Sequence, residues 1–147
     1  MIYPQKFEQK IGFTEIKSLL RQYCLSAMGK EMVDAITFST DTEAINNSFS
    51  QVREMRKILS SGQDFPFQGF ADIRQSVARV RLEGTHMEED ELFELKRCLQ
   101  DVAGVVAFLS ESAADDDSGD MPRYTYPALH ELADGIATFP KIVNRIN

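Results

Sequence analysis

Apolar residues recur every three or four positions along most of this chain, which is the spacing of one face of an α-helix. The longest such pattern runs from about Glu88 to Ser110. Its apolar positions alternate steps of three and four, as in a heptad seam, and they are Leu92, Leu95, Leu99, Val102, Val106 and Leu109. The sequence shows no sustained alternation with the period of a strand. The pattern predicts an all-α fold, an irregular multi-helix bundle whose longest helix runs from about Glu88 to Ser110.

Residues that cap helices divide the chain before Gly62 into three predicted helices. Thr14 and Ser26 stand before the first two, and hydroxyl side chains at this position accept hydrogen bonds from free amides of the first turn. The third helix follows Thr40-x-x-Glu43, which has the sequence of a capping box, and ends at Gly62. The core positions that we predict across all helices are Leu20, Phe49, Val52, Leu95, Leu99 and Val102.

An aromatic-rich loop follows the third helix. It contains Phe65, Phe67 and Phe70, and it is too apolar to extend into water. We therefore expect these rings to close the ends of the surrounding helices. Asp72 is then predicted to cap a short helix that ends by Gly84.

The chain after Gly84 carries three further helix starts. Thr85-x-x-Glu88 is a second capping box, before the long helix. Tyr126-Pro127 and Pro140 each place a proline where a helix can begin. Between the long helix and Tyr126, residues 114–121 form an acidic run that we predict to be a flexible loop.

Composition and charge narrow the class of protein. The 147 residues suffice for one domain, and we predict a single helical segment over residues 1–147. Two cysteines are too few for a disulfide framework, and no apolar run reaches the roughly 18 residues of a membrane span. We expect a cytoplasmic protein without membrane contact. The amphipathic pattern continues to the last residues, so we also expect the chain to be part of a longer protein.

Candidate catalytic chemistry is sparse. Gly29-Lys30 lacks the two partners that a phosphate loop requires, because Cys24 and Glu31 stand where a glycine and a hydroxyl residue are needed. Phe13-x-Glu15 has the composition of a base-stacking wedge, but it begins an amphipathic helix, where an apolar staple is the commoner role. We predict no catalytic, cofactor-binding or metal-binding residue.

Three arginines are the candidate phosphate contacts. Arg74, Arg79 and Arg81 lie close together around the short helix, and cations grouped in this way can meet a nucleic-acid backbone. The alternative is a solvated helix face. The net charge is −7, and residues 85–120 carry 11 acidic and two basic residues. Because this acidic block repels phosphates, we expect DNA binding by the segment to be weak.

The order of motifs resembles the start of the core domain of MutS-type DNA mismatch-repair ATPases. The residues that carry this resemblance are Leu19-Leu20, Cys24, Ser26-x-x-Gly29-Lys30, Ser39 to Glu43, and Ile45 to Glu54. The residues at several positions are similar to those of the second bacterial MutS family, whose members lack the mismatch-recognition domain and end in a Smr nuclease domain. That closer similarity lies in Tyr3-Pro-x-x-Phe7, in Val80-Arg-Leu-Glu-Gly-Thr85 and in Tyr126-Pro127-Ala-Leu129.

The resemblance implies a helical core segment at the base of the lever arms. The parent protein would be a homodimeric ATPase and endonuclease that uses ATP and Mg²⁺ and acts on mismatched or branched DNA, in repair and in suppression of recombination. Its ATPase, clamp and nuclease parts would lie beyond Asn147, so this segment would hold no cofactor and would not itself be an enzyme. The residues alone leave a second hypothesis open, a free-standing interaction module that binds a partner helix through its seam from Leu92 to Leu109.

Overall fold

The computed structural model describes residues 7–67, 69–112 and 124–146. Within them the chain forms eight helices and no sheet, so the all-α prediction is confirmed. The predicted acidic loop 114–121 lies outside the described residues. The helices are α1 (Phe7–Lys10), α2 (Phe13–Tyr23), α3 (Ala27–Asp34), α4 (Thr42–Ser61), α5 (Arg74–Arg79), α6 (Glu89–Leu109), α7 (Pro127–Ala133) and α8 (Pro140–Arg145).

Several helix boundaries follow the local signals. Ser26 caps α3, because its Oγ accepts a hydrogen bond from the Gly29 amide at 3.0 Å. Gly62 ends α4 with a φ of 72°, a left-handed conformation that costs glycine little. Prolines begin α7 and α8, as predicted. At 21 residues, α6 is the longest of the described helices, which confirms that prediction.

The predicted cap of α4 is wrong by one residue. Asp41, not Thr40, caps this helix, and its Oδ1 accepts hydrogen bonds from the amides of Glu43 and Ala44, both at 3.0 Å. A carboxylate satisfies two amides here and is also favoured by the positive end of the helix dipole.

The capping box of α6 is likewise displaced from its predicted position. It is formed by Glu88 and Glu91, and the Glu88 amide donates to Glu91 Oε2 at 2.9 Å. The Thr85 hydroxyl instead donates to the Leu82 carbonyl at 2.7 Å. This bond stabilises the turn before the helix. The N-cap position itself belongs to Glu88, so the prediction of Thr85 as the cap is wrong.

Two shorter helices also depart from their predicted limits. Helix α2 begins at Phe13 after Gly12, whose φ is 73°, so Thr14 lies inside the helix and does not cap it. Helix α5 ends at Arg79, well before Gly84. The N-cap position of α5 is Ile73, not Asp72 as predicted. Asp72 lies one residue earlier, and its Oδ1 accepts a hydrogen bond from the Arg74 amide at 3.2 Å.

The buried core lies where α7 packs against both α4 and α6. Among the described residues, four are buried in this core: Ile58, Leu109, Tyr126 and Ala133. The Phe108 ring packs on Tyr126 with 5.9 Å between centroids, and Phe65 meets Phe108 edge-on at 5.4 Å. The prediction for the aromatic loop is confirmed for Phe65, which packs against this core, whereas Phe67 and Phe70 pack on each other with 5.1 Å between ring centroids.

A polar contact holds α7 in place. Both carboxylate oxygens of Glu54 on α4 accept backbone hydrogen bonds from the first turn of α7, from Ala128 at 3.1 Å and from Leu129 at 2.8 Å. The free amides of α7 are thereby satisfied by a side chain from another helix.

None of the six predicted core residues is fully buried, and three of them are exposed. Leu20 is 43% exposed, and Phe49 and Val52 are each 58% exposed, so their predicted burial is wrong. Phe49 lies nine residues before Ile58, about two and a half helical turns, and so faces the opposite side of α4. Helix α2 has only α1 and α3 as close neighbours among the described helices, which leaves Leu20 uncovered.

The predicted core positions on α6 are covered only in part. Leu95, Leu99 and Val102 are half-buried rather than buried. Helices α7 and α8 both pack against α6, but full burial is reached only at its last residue, Leu109. None of the helices in the described part of the chain is both long enough and apolar enough to cross a bilayer.

Candidate functional site

Arg74, the first predicted phosphate contact, is held between two carboxylates. It begins α5, and its Nη1 and Nη2 donate to Glu31 on α3 at 2.8 and 2.7 Å. Its Nε and Nη2 donate to Asp72, just before α5, at 2.8 and 2.6 Å. Both contacts use two N–H groups, the arrangement in which a planar guanidinium binds a carboxylate best.

The electrostatics of this triad oppose anion binding. Hydrogen bonds from Arg74 lower the pKa of Asp72 to about 2 and also lower the pKa of Glu31. The pKa of Arg74 is raised, first by Asp72 and then by Glu31. All three groups are therefore charged at neutral pH, and the triad has a net negative charge. Four of the five N–H groups of Arg74 already bind carboxylates, and the net negative charge of the triad repels a phosphate.

Arg79 at the other end of α5 is tied to α6. Its guanidinium forms an ion pair with Glu91, which also accepts a hydrogen bond from Ser76 Oγ at 2.7 Å. The pKa of Glu91 is lowered, mainly by the Ser76 hydrogen bond and then by the Glu88 amide. Arg81 lies beyond the end of α5 and is exposed. The structure thus does not place the three arginines in one open basic patch, and phosphate contact by them stays a prediction.

A second group of cations lies on α4 and was missed by the sequence analysis. Arg53, Arg56 and Lys57 are exposed and spaced three and four residues apart, so they share one side of the helix. Neither arginine has an ion pair with any residue that the structure describes. Lys57 Nζ lies 5.7 Å from the centroid of the Tyr126 ring. We call these three residues the α4 ridge. The signal that would have found it is Arg53-x-x-Arg56-Lys57 in the segment ahead of the acidic block.

One acidic residue, Glu54, lies beside the α4 ridge in the sequence. Glu54 follows Arg53 directly, but both of its oxygens accept the backbone amides of α7. The carboxylate therefore lies against the first turn of α7, and it forms no ion pair with Arg53 or Arg56.

Catalytic or metal chemistry is not found among the described side chains. No three of their His, Cys, Asp or Glu side chains come close enough together to hold a metal ion. Both cysteines are free, and burial raises the pKa of the Cys98 thiol. An open pocket of about 390 Å³ between α4, α6 and the aromatic loop has an entirely apolar lining. It offers no group that could act as an acid, a base or a nucleophile.

Comparison with known proteins gives one consistent name. An endonuclease MutS2 of Alkaliphilus oremlandii is 24% identical over 136 residues, which are 92% of this chain and 16% of that protein. A putative endonuclease MutS2 of Bacillus subtilis is 25% identical over 143 residues, 97% of this chain and 17% of the relative. An endonuclease MutS2 of Latilactobacillus sakei is 23% identical over 141 residues, with coverages of 96% and 17%. The chain thus spans about a sixth of the length of these curated relatives. No family model and no solved structure matches it.

Proposed function

We propose that this chain, a relative of the MutS2 endonucleases over nearly its whole length, is a helical structural segment of a MutS2-like protein that acts on DNA. The observation that carries the proposal is the coverage of 92–97% of the chain by proteins of one name. The all-helical structure supports it, since that fold is the one which the resemblance implies for the core segment.

The role that we propose for the segment is positioning. Helices α4 and α6 have 20 and 21 residues, about 30 Å each. Helix α7 packs against both of them, and Glu54 on α4 accepts hydrogen bonds from its first turn. The three helices are therefore joined into one packed unit. Such a unit can hold other parts of a protein at a fixed distance. The described residues offer no catalytic group to compete with this role.

The longer parent protein is proposed to carry the chemistry. We infer that ATP and Mg²⁺ binding, endonuclease activity on mismatched or branched DNA, and homodimer formation belong to the remaining five-sixths of a MutS2-like chain. A cytoplasmic location fits that role in DNA repair and in suppression of recombination.

Direct contact with DNA, if the segment makes it, is proposed for the α4 ridge. The cationic groups of the α4 ridge are exposed. Those of Arg74 and Arg79 form ion pairs with carboxylates. Each phosphate contact contributes about one unit to the slope of log affinity against log salt. The ridge therefore predicts a slope of at most about −3, which corresponds to weak binding without sequence preference.

The interaction-module hypothesis has less support. Its binding surface was the seam from Leu92 to Leu109, but α7 and α8 pack against α6 within the chain itself. Leu109 is buried in the core and Val106 packs against it. A partner helix would have to displace these contacts to reach that end of the seam.

A chimera tests the structural role. This chain replaces the matching segment of the Alkaliphilus oremlandii endonuclease MutS2, and DNA cleavage is measured. The control chimera carries the matching segment of the Latilactobacillus sakei relative. That relative is 23% identical to this chain, and the Alkaliphilus oremlandii protein is 24% identical to it. We expect both chimeras to fold and cleave. An active control beside a folded but inactive chimera of this chain would refute the proposal.

Fluorescence anisotropy tests the proposed DNA contact. The 147-residue chain is titrated with linear duplex and with a four-way junction at several salt concentrations. The triple variant R53Q/R56Q/K57Q should flatten the salt slope, while the matched variant R74Q/R79Q/R81Q should leave it unchanged. Sub-micromolar binding that prefers the junction at physiological salt, or a slope that depends on the α5 arginines, would contradict this assignment.

A further inference from the structure

The first three helices form a separate packing unit. Helix α1 packs on α2, and α2 packs on α3. Lys17 Nζ donates to the Ile36 carbonyl at 2.8 Å, and Arg21 pairs with Asp34. We call residues 7–36 the N-terminal unit and residues 42–146 the body. These polar contacts begin and end inside the N-terminal unit, so they hold it together without attaching it to the body.

The junction between the two parts is thin. Residues 37–41 join them without helical structure. No residue between 7 and 36 is buried, and α1–α3 make at most marginal contact with the other described helices. Within the part of the chain that the structure describes, no buried apolar residue therefore lies on the N-terminal side of the junction.

The polar contact that crosses this junction in the described structure is the one between Glu31 and Arg74. Asp72 holds the guanidinium from the body side with two hydrogen bonds, which turns its remaining N–H groups toward Glu31. The side chains of Arg74 and Glu31 are 50% and 59% exposed. An ion pair this open to water is weak and is sensitive to salt.

We propose that Glu31, Arg74 and Asp72 form a latch that sets the position of the N-terminal unit against the body. With the latch closed, the unit is fixed at α5. With the latch open, it pivots about residues 37–41. This inference is independent of the proposed DNA-related function, because it rests on the packing and contacts of this chain alone.

The strength of the latch determines how the chain should respond. An exposed ion pair of this kind changes an equilibrium by about two- to five-fold. Loss of either partner should therefore enlarge the open population by that factor and leave both parts folded. High salt should act in the same direction on the unsubstituted chain.

Distance measurement between two spin labels tests the latch. The labels are attached to Ser18→Cys on α2 and Gln100→Cys on α6, two exposed positions, in the full chain with Cys24→Ser and Cys98→Ala. The variants are R74Q and E31Q, which remove the latch from opposite sides of the junction. The control R21Q removes an ion pair of similar exposure inside the N-terminal unit.

We expect a distance distribution at low salt in which one closed population dominates, and an open fraction that rises about two- to five-fold in R74Q, in E31Q and at high salt, but not in R21Q. The exchanged pair E31R/R74E should lower that fraction again. Circular dichroism checks that each variant is folded. A distribution in R74Q and E31Q that equals that of R21Q would overturn the proposal, as would a broad distribution in the unsubstituted chain at low salt.

Discussion

The sharpest test of this structure compares Ile58→Ala with Phe49→Ala on the same helix. Ile58 is fully buried, among neighbours that include Met55, Leu109 and Tyr126. Its truncation removes three carbon atoms from the core, about 0.8 kcal/mol each, and leaves a cavity as well. Buried Ile→Ala changes cost about 2–5 kcal/mol in total. We expect a loss of about 3 kcal/mol, a large fraction of the stability of a small domain.

Phe49 should behave differently although it is also a large apolar residue of α4. It is 58% exposed, so its truncation removes little buried surface. The better helix propensity of alanine offsets part of that loss. We expect Phe49→Ala to change the free energy of unfolding by less than about 1 kcal/mol.

Urea unfolding followed by far-ultraviolet circular dichroism measures both variants. The slope of the free energy against denaturant should stay the same in both, so that the midpoint reports stability alone. Equal destabilisation by Ile58→Ala and Phe49→Ala would refute the reasoning, because it would mean that the two faces of α4 are covered to the same extent.

Three further predictions concern single contacts. Glu54→Gln leaves one acceptor where the first turn of α7 needs two, so we expect a loss of about 1–2 kcal/mol in urea unfolding and faster amide exchange in α7. The folded pKa of Asp72, about 2, lies below the usual value of 3.8, so its contribution to stability is present above about pH 4 and lost as the pH falls toward 2. Unfolding measured over that range should show this loss in the unsubstituted chain and not in Asp72→Asn, and an unchanged acid dependence in that variant would contradict it. Glu91→Ala should increase amide exchange in the first turn of α6, whereas Thr85→Ala should not. Equal effects of the two substitutions would contradict the assignment of the capping box to Glu88 and Glu91.

The candidate site was predictable only in composition. The sequence identifies Arg74, Arg79 and Arg81 as grouped cations, but the partners of the first two come from other elements. Glu31 lies 43 residues before Arg74, and Glu91 lies 12 residues after Arg79. No local spacing rule connects such pairs. The α4 ridge could have been read from its helical spacing, because its three members lie within two turns.

Helix content, the proline starts of α7 and α8, and the helix limits at Ser26 and Gly62 were determined by the sequence alone. These features depend on hydrogen bonds and backbone preferences within about one helical turn, which neighbouring residues supply. Burial was decided only by the tertiary structure. Helix α4 carries apolar residues on both sides, Phe49 on one and Ile58 on the other, but only Ile58 meets α6 and α7. Periodicity specifies which residues can face a core, whereas the positions of the other helices specify which of them are covered.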